Sequence, residues 1–189
     1  MIIRDLTNEA SPDTLEGSFT DDLVISKQWL ANKLKQGYKD KCVGSIYILG
    51  SWYGNLALFL QKANVVFDSL ILIDKNNSVL KTSEKLLRPL FNSGKLIFIN
   101  TDAKDVVYDK QGIVINTSIN DMNTDWYNNV PKGKRVLIQG RDNVDGTIRI
   151  NNMEQFVDMF PLSKVEYVGK KELSDPETDY TRYMMIGVK

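Results

Sequence analysis

A chain of 189 residues in which 24 Lys and Arg face 24 Asp and Glu carries no net charge, so no long-range positive field draws it to phosphates or anionic lipid, and nucleic acid is not its default partner. It has no histidine and one cysteine, Cys42, which excludes an intrachain disulfide, histidine-based triads and His/Cys zinc sites. Apolar runs stay well short of the ~18 residues that cross a bilayer, and Met1 to Asp5 lack the order of a signal peptide; the expectation is one cytoplasmic domain over 1–189, without a membrane partner, burying roughly 70% of its unfolded surface.

Residues 1–19 are polar, contain Pro12 and Gly17, and read as a loose N-terminal arm. A helix is expected over 20–37, with Thr20 or Asp21 as cap, Val24 or Ile25, Trp29 and Leu34 at apolar positions, and Gly37 as the stop. Trp29 reads as packing on a sheet, with the wall of a cleft as the alternative. The stretch Ile46 to Asn55 then runs four apolar or aromatic residues into Gly50, reaches Gly54 three residues later, and opens at once into the helical pattern of Leu56, Phe59 and Leu60. That is a strand, a tight turn and a helix (Tyr53 to Lys62), and glycine there lets backbone N–H groups approach a ligand closely. The next strand, Ser69 to Asp74, is apolar without alternation, as in strands buried on both faces. Asp74 closes it twenty residues after Gly54, where a carboxylate either accepts from both hydroxyls of a ribose or caps the following helix.

That helix starts at Asn76, Asn77 or Ser78 and is expected to reach Gly94 despite Pro89. A strand over Lys95 to Asn100 leads into Thr101-Asp102-Ala103, a strand over Gly112 to Asn116 into a weakly marked helix around Met122, Trp126 and Tyr127, and Pro131-Lys-Gly into the strand Arg135 to Gln139. A helix from Met153 to Phe160 precedes two longer strands, Lys164 to Glu172 and Tyr180 to Lys189, with no crossover helix between them; they read as an antiparallel pair at one edge. Alternating strands and helices imply an α/β fold with a doubly wound, seven-stranded, mostly parallel sheet.

In such a sheet ligands sit beyond the carboxyl ends of the strands, which singles out Gly50, Ser51, Asp74, Asp102, Asn116 and Gln139 to Asn143. Each has a plainer role too: Asp102 closes a turn, or Asn116 bonds loop backbone. From about residue 42 to 189, the order and spacing of these features resemble the class I S-adenosylmethionine-dependent methyltransferases, whose Rossmann-like sheet ends in an antiparallel pair. Ile46 to Gly54 is similar to that family's first motif, Asp74 to its ribose-binding acid, Thr101-Asp102-Ala103 to its adenine segment, and Val130-Pro-Lys-Gly-Lys-Arg-Val-Leu-Ile to the turn before its fifth strand. Among variants, the small stand-alone bacterial and phage types look most similar. Two positions depart from the pattern: Ile48 stands where an acid is usual, and Trp52 where the middle glycine is.

The resemblance implies S-adenosylmethionine as cofactor, S-adenosylhomocysteine as product, and cofactor contacts from Gly50, Ser51, Tyr53, Gly54, Asp74, Asp102, Ala103 and Asn116. Methyl transfer needs in-line positioning and exclusion of water more than acid–base chemistry, so a chain without histidine suffices. Where the acceptor must lose a proton, Asp121 and Asp142 are the candidate bases, and Asn116 the candidate to hold an amine or hydroxyl. Trp52, Tyr53 and Trp126 are candidates to wall the sulfonium. The expected acceptor is a small molecule in a pocket lined by Asn116 and residues 118–121. A nucleic-acid acceptor would need the basic residues Lys132, Lys134, Arg135 and Arg141 to gather in one patch. Two rival functions fit the same strand–turn–helix pattern: a non-catalytic interaction protein on a degenerate fold, and a nicotinamide dehydrogenase.

Overall fold

The computed structural model describes residues 18–91, 94–109, 111–175 and 177–189, so nearly all of the arm expected over 1–19 lies outside the described residues. Seven strands, β1 (Ser45–Leu49), β2 (Ser69–Asp74), β3 (Leu96–Asn100), β4 (Ile113–Asn116), β5 (Arg135–Arg141), β6 (Lys164–Ser174) and β7 (Asp179–Val188), form one sheet in the order β3-β2-β1-β4-β5-β7-β6. The first five are mutually parallel, and β7 is antiparallel to both of its neighbours. The strand order reverses at β1 and β4, so the loops leaving those two strands diverge and open a crevice between them. The antiparallel pair β7-β6 stands at one edge of the sheet, as the sequence predicts, with β7 against β5 and β6 outermost.

The unalternating strands are explained by helices on both faces. Ile46, Ile48, Leu70 and Leu72 point into one core with Leu30, Leu34, Leu56, Leu60 and Leu80, under α1 (Asp21–Tyr38), α2 (Asn55–Lys62) and α3 (Asn77–Leu87). Their sequence neighbours Tyr47, Leu49, Ile71 and Ile73 point into the other core with Trp126 and Phe156, under α4 (Asp125–Asn129) and α5 (Met153–Met159). Trp126 is 1% exposed and its ring centroid lies 5.5 Å from Tyr127 and 5.6 Å from Phe160, so it fills the core and walls no cleft. Trp29 likewise packs edge-on against Tyr167 at 6.3 Å.

Local chemistry accounts for the element ends. α1 runs one residue past Gly37 and stops where Lys39 takes φ 54°. α3 is capped by Asn76, whose side-chain oxygen accepts from the backbone N–H of Ser78 at 3.1 Å and Val79 at 3.4 Å. It ends at Leu87 rather than near Gly94, because Pro89 has no N–H for an α-helical bond and the chain tightens into a 3₁₀ turn over Arg88–Leu90. The weakly marked helix resolves into a 3₁₀ turn, Ile119–Asp121, and the short α4. The Lys189 ammonium donates to the carbonyls of Tyr127, Asn128 and Val130 and so closes the C-terminal end of α4. Among the described residues, no helix is long and apolar enough to cross a membrane.

Candidate functional site

The turn after β1 is built from left-handed residues: Gly50 has φ 58°, Trp52 φ 49° and Gly54 φ 73°. Ser51 N–H donates to the Ile73 carbonyl at 2.9 Å and Gly54 N–H to the Ser51 carbonyl at 2.8 Å, while Trp52 N–H donates to Asp74 Oδ2 at 3.0 Å. Position 52 thus takes a left-handed conformation that suits glycine, and this chain holds it with an indole. A non-glycine residue there costs roughly 1 kcal/mol. Trp52→Gly is therefore expected to be about 1 kcal/mol more stable than Trp52→Ala in urea unfolding, and equal midpoints for the two variants would remove the conformational argument.

Beyond the carboxyl ends of β1, β2 and β3 lies a cleft of about 510 Å³, whose lining includes Gly50, Trp52, Asp74, Asp102, Ala103 and Met122. Asp74 spends one oxygen on Trp52 N–H and the other on Asn76 N–H at 2.9 Å; each carboxylate oxygen keeps a second lone pair for a ligand donor. Asp102 Oδ1 accepts from Lys104 N–H at 3.1 Å, and its other oxygen has no partner among the described residues. A Cβ on Gly50 would come within 3.0 Å of both Met122 Cε and Ser118 Cβ, so the glycine lets β1 end flush with the floor of the cleft. Ser118 fixes that floor by donating from its hydroxyl to the Gly50 carbonyl at 3.1 Å.

A second pocket of about 220 Å³ adjoins the first, sharing Trp52, Ser118 and Asp121 as walls and reaching Lys27 of α1, Arg141 of β5 and Arg182 of β7. Lys27 Nζ donates to Thr117 Oγ1 at 2.6 Å. Burial first, and the Arg182 guanidinium second, pull the Lys27 ammonium down to about 7, against the attraction of Asp121. Burial raises the Asp121 carboxyl above the usual carboxylate range, although Arg182, Arg141 and Lys27 all pull it down.

Of the residues singled out in the sequence, the structure gathers Gly50, Asp74, Asp102 and Ala103 around the first cleft and Asp121 at the junction of the two. The others stand elsewhere. Ser51 and Tyr53 are each 5% exposed; the first shapes the turn through its backbone, and the second packs against Val79, Phe19 and Trp52. Gly54 faces α3, where a Cβ would lie 2.5 Å from Ser83 Oγ and 2.6 Å from Leu87 Cδ1. Asn116 is fully buried; its Oδ1 accepts from Ser118 N–H at 2.9 Å and its amide contacts Met122 Sδ, so it braces the loop under the cleft instead of lining it. Asp142 accepts from Thr181 N–H at 2.7 Å and Tyr183 O–H at 2.9 Å, and so ties the end of β5 to β7 outside either lining. Lys27 and Arg182 were missed. A lysine on an amphipathic helix reads as solvated, but Arg182 carried a signal: it interrupts the apolar alternation of Tyr180, Met184 and Ile186 on the side of β7 that turns inward.

The chain has the Rossmann-like fold of the S-adenosylmethionine-dependent methyltransferases. It is similar to magnesium protoporphyrin IX methyltransferase (ChlM) from Synechocystis, solved with bound S-adenosylmethionine, with 12% identity over 98% of this chain and 95% of that one at a TM-score of 0.64. It is equally similar to the N-methyltransferase NodS from Bradyrhizobium japonicum, solved with S-adenosylhomocysteine, with 10% identity over 97% of each chain and a TM-score of 0.64. The cyclase SpnF matches at the same TM-score of 0.64 and 12% identity, over 86% of this chain and 81% of that one. No protein-family model matches the sequence, and no curated protein matches it.

Proposed function

We propose that this protein is an S-adenosylmethionine-dependent methyltransferase of small molecules, holding the nucleoside in the larger cleft and the acceptor in the smaller one. The observation that carries this reading is the convergence of Gly50, Asp74 and Asp102 on one cleft that opens, at Ser118 and Asp121, into a second pocket. The donor set fits the group: Asp74 offers spare lone pairs to a ribose, Asp102 an unpartnered oxygen to an amino group, and Gly50 a floor that any side chain would fill. When bound, the sulfonium supplies a methyl carbon already activated for attack. The chain's own residues position and exclude water: Trp52 separates the two spaces while bordering both, and Met122 covers the Gly50 floor. Asp121, raised by burial, is the group placed to take a proton from an acceptor hydroxyl or amine. Neighbours named as methyltransferases of a porphyrin and of nitrogen acceptors, ChlM and NodS, support a small-molecule acceptor, and a cytoplasmic location fits such a reaction.

One observation favours a second reading, an interaction protein without cofactor: Ile48, 2% exposed in the core, occupies the position of the family's usual acid and offers nothing to an ammonium group. Calorimetric titration separates them. Saturable S-adenosylhomocysteine binding with no response to NAD is expected, and a folded protein that binds neither would leave the interaction protein as the better account.

A further inference from the structure

Among the described residues, three cations, Lys27, Arg141 and Arg182, line the smaller pocket with one carboxylate, Asp121. Arg182 is 5% exposed, lines this pocket, and has no salt-bridge partner among the described residues; its Nε is buried without a hydrogen-bond partner. Strand register sets it directly between two other cations, Arg141 on β5 and Lys171 on β6. Like charges facing each other across strands are destabilising, and an unpaired buried guanidinium costs several kcal/mol. Lys27 approaches from α1 and, among the described residues, donates to one acceptor, the neutral Thr117 hydroxyl. Among the described residues no carboxylate is in ion-pair contact with Lys27 or Arg182, although Asp121 attracts both from a distance. Asp175 pairs with Arg141 at 2.8 Å, Asp22 accepts from Tyr180 O–H at 2.5 Å, and Asp121 stands at the junction of the two pockets.

The two guanidiniums are nonetheless held in place, since Arg141 lies 4.1 Å and Arg182 5.4 Å from the centroid of the buried Tyr180 ring. A guanidinium fixed against an aromatic ring and left without an ion pair, as Arg182 is, forms a preorganised anion receptor.

We propose that the acceptor is a small anionic molecule whose carboxylate or phosphate group is anchored by Arg182 and Lys27 in this pocket, with its nucleophilic atom turned toward Asp121 and the larger cleft. The methyl-transfer part of this statement rests on the proposed function; the anion site does not. An oxyanion beside Lys27 also restores the ammonium, so above about pH 7 binding takes up a proton.

The test is calorimetric titration of the full chain with inorganic phosphate and, separately, with succinate, in two buffers of different ionisation enthalpy above about pH 7. At least one anion is expected to bind saturably with buffer-dependent heat, phosphate alone marking a phosphorylated acceptor and succinate alone a carboxylate. Lys27→Met is expected to weaken that anion at least ~10-fold while leaving S-adenosylhomocysteine affinity unchanged, and Asp74→Ala to do the reverse. Arg182→Gln serves as a second variant, provided its circular dichroism is native. Anion binding without S-adenosylhomocysteine binding in the wild type would keep the anion site and sink the methyltransferase reading. No saturable binding of either anion, or binding untouched by Lys27→Met in a folded protein, would overturn the anion site itself.

Discussion

Gly54→Val is expected to cost the fold about 2 to 5 kcal/mol, which adds overpacking to the strain of a branched residue at left-handed φ. The added Cβ would meet Ser83 Oγ at 2.5 Å, Leu87 Cδ1 at 2.6 Å and Leu72 Cδ2 at 2.7 Å, with φ 73°, so α3 would have to lift off the sheet. Against a typical total stability of ~5 to 15 kcal/mol, the variant is at best marginal at ambient temperature. Denaturant titration measures this directly. The sequence alone suggested instead that Gly54 faces the ligand; a Gly54→Val protein of native stability that fails to bind S-adenosylhomocysteine would vindicate that view over the packing account.

Asp74→Ala is expected to weaken S-adenosylhomocysteine binding by about ten- to a hundred-fold, corresponding to the ~1.5 to 3 kcal/mol of a charged hydrogen-bond partner. It also strips the acceptor from Trp52 N–H and Asn76 N–H, so the apo protein should lose roughly 1 to 3 kcal/mol as well. Asp74→Asn, with one acceptor oxygen left, should recover part of either loss. Measuring affinity and unfolding on the same preparations separates the two roles. A crystal structure with the nucleoside bound away from Asp74 would be incompatible with this assignment.

The strands were legible because burial on both faces leaves short unbroken apolar runs such as Leu70 to Ile73 and Ile113 to Ile115, whose length and β-branched content favour a strand over a buried helix. Chemistry at the strand ends was harder to read. Asp74 and Asn116 both close a strand with a polar residue, yet the first borders the cleft and the second is sealed beneath it, because periodicity gives a face of the sheet and not the depth of the loop that follows. A glycine in a turn signals a missing side chain without saying what fills the space: at Gly50 it is Ser118 and Met122 beside the cleft, at Gly54 it is α3 and the core. The second pocket draws on α1, the loop after β4, β5 and β7; contacts between segments so distant in sequence are set by topology.

The insertion of β7 between β5 and β6 has a consequence for the order of synthesis. On the ribosome β6 emerges first, but its place in the sheet does not exist until Asp179–Val188 follows and pairs with β5 on one side and β6 on the other. Until then the nascent chain exposes the open edge of β5 and a free strand, both templates for wrong pairing. Arg182 arrives with the same segment, as does the Lys189 ammonium that closes α4. A chain arrested before residue 179 has the five strands β3-β2-β1-β4-β5 and the residues lining the larger cleft, while lacking the strand that brings Arg182 to the smaller pocket: during translation, the walls of the first space are all synthesised before those of the second are complete.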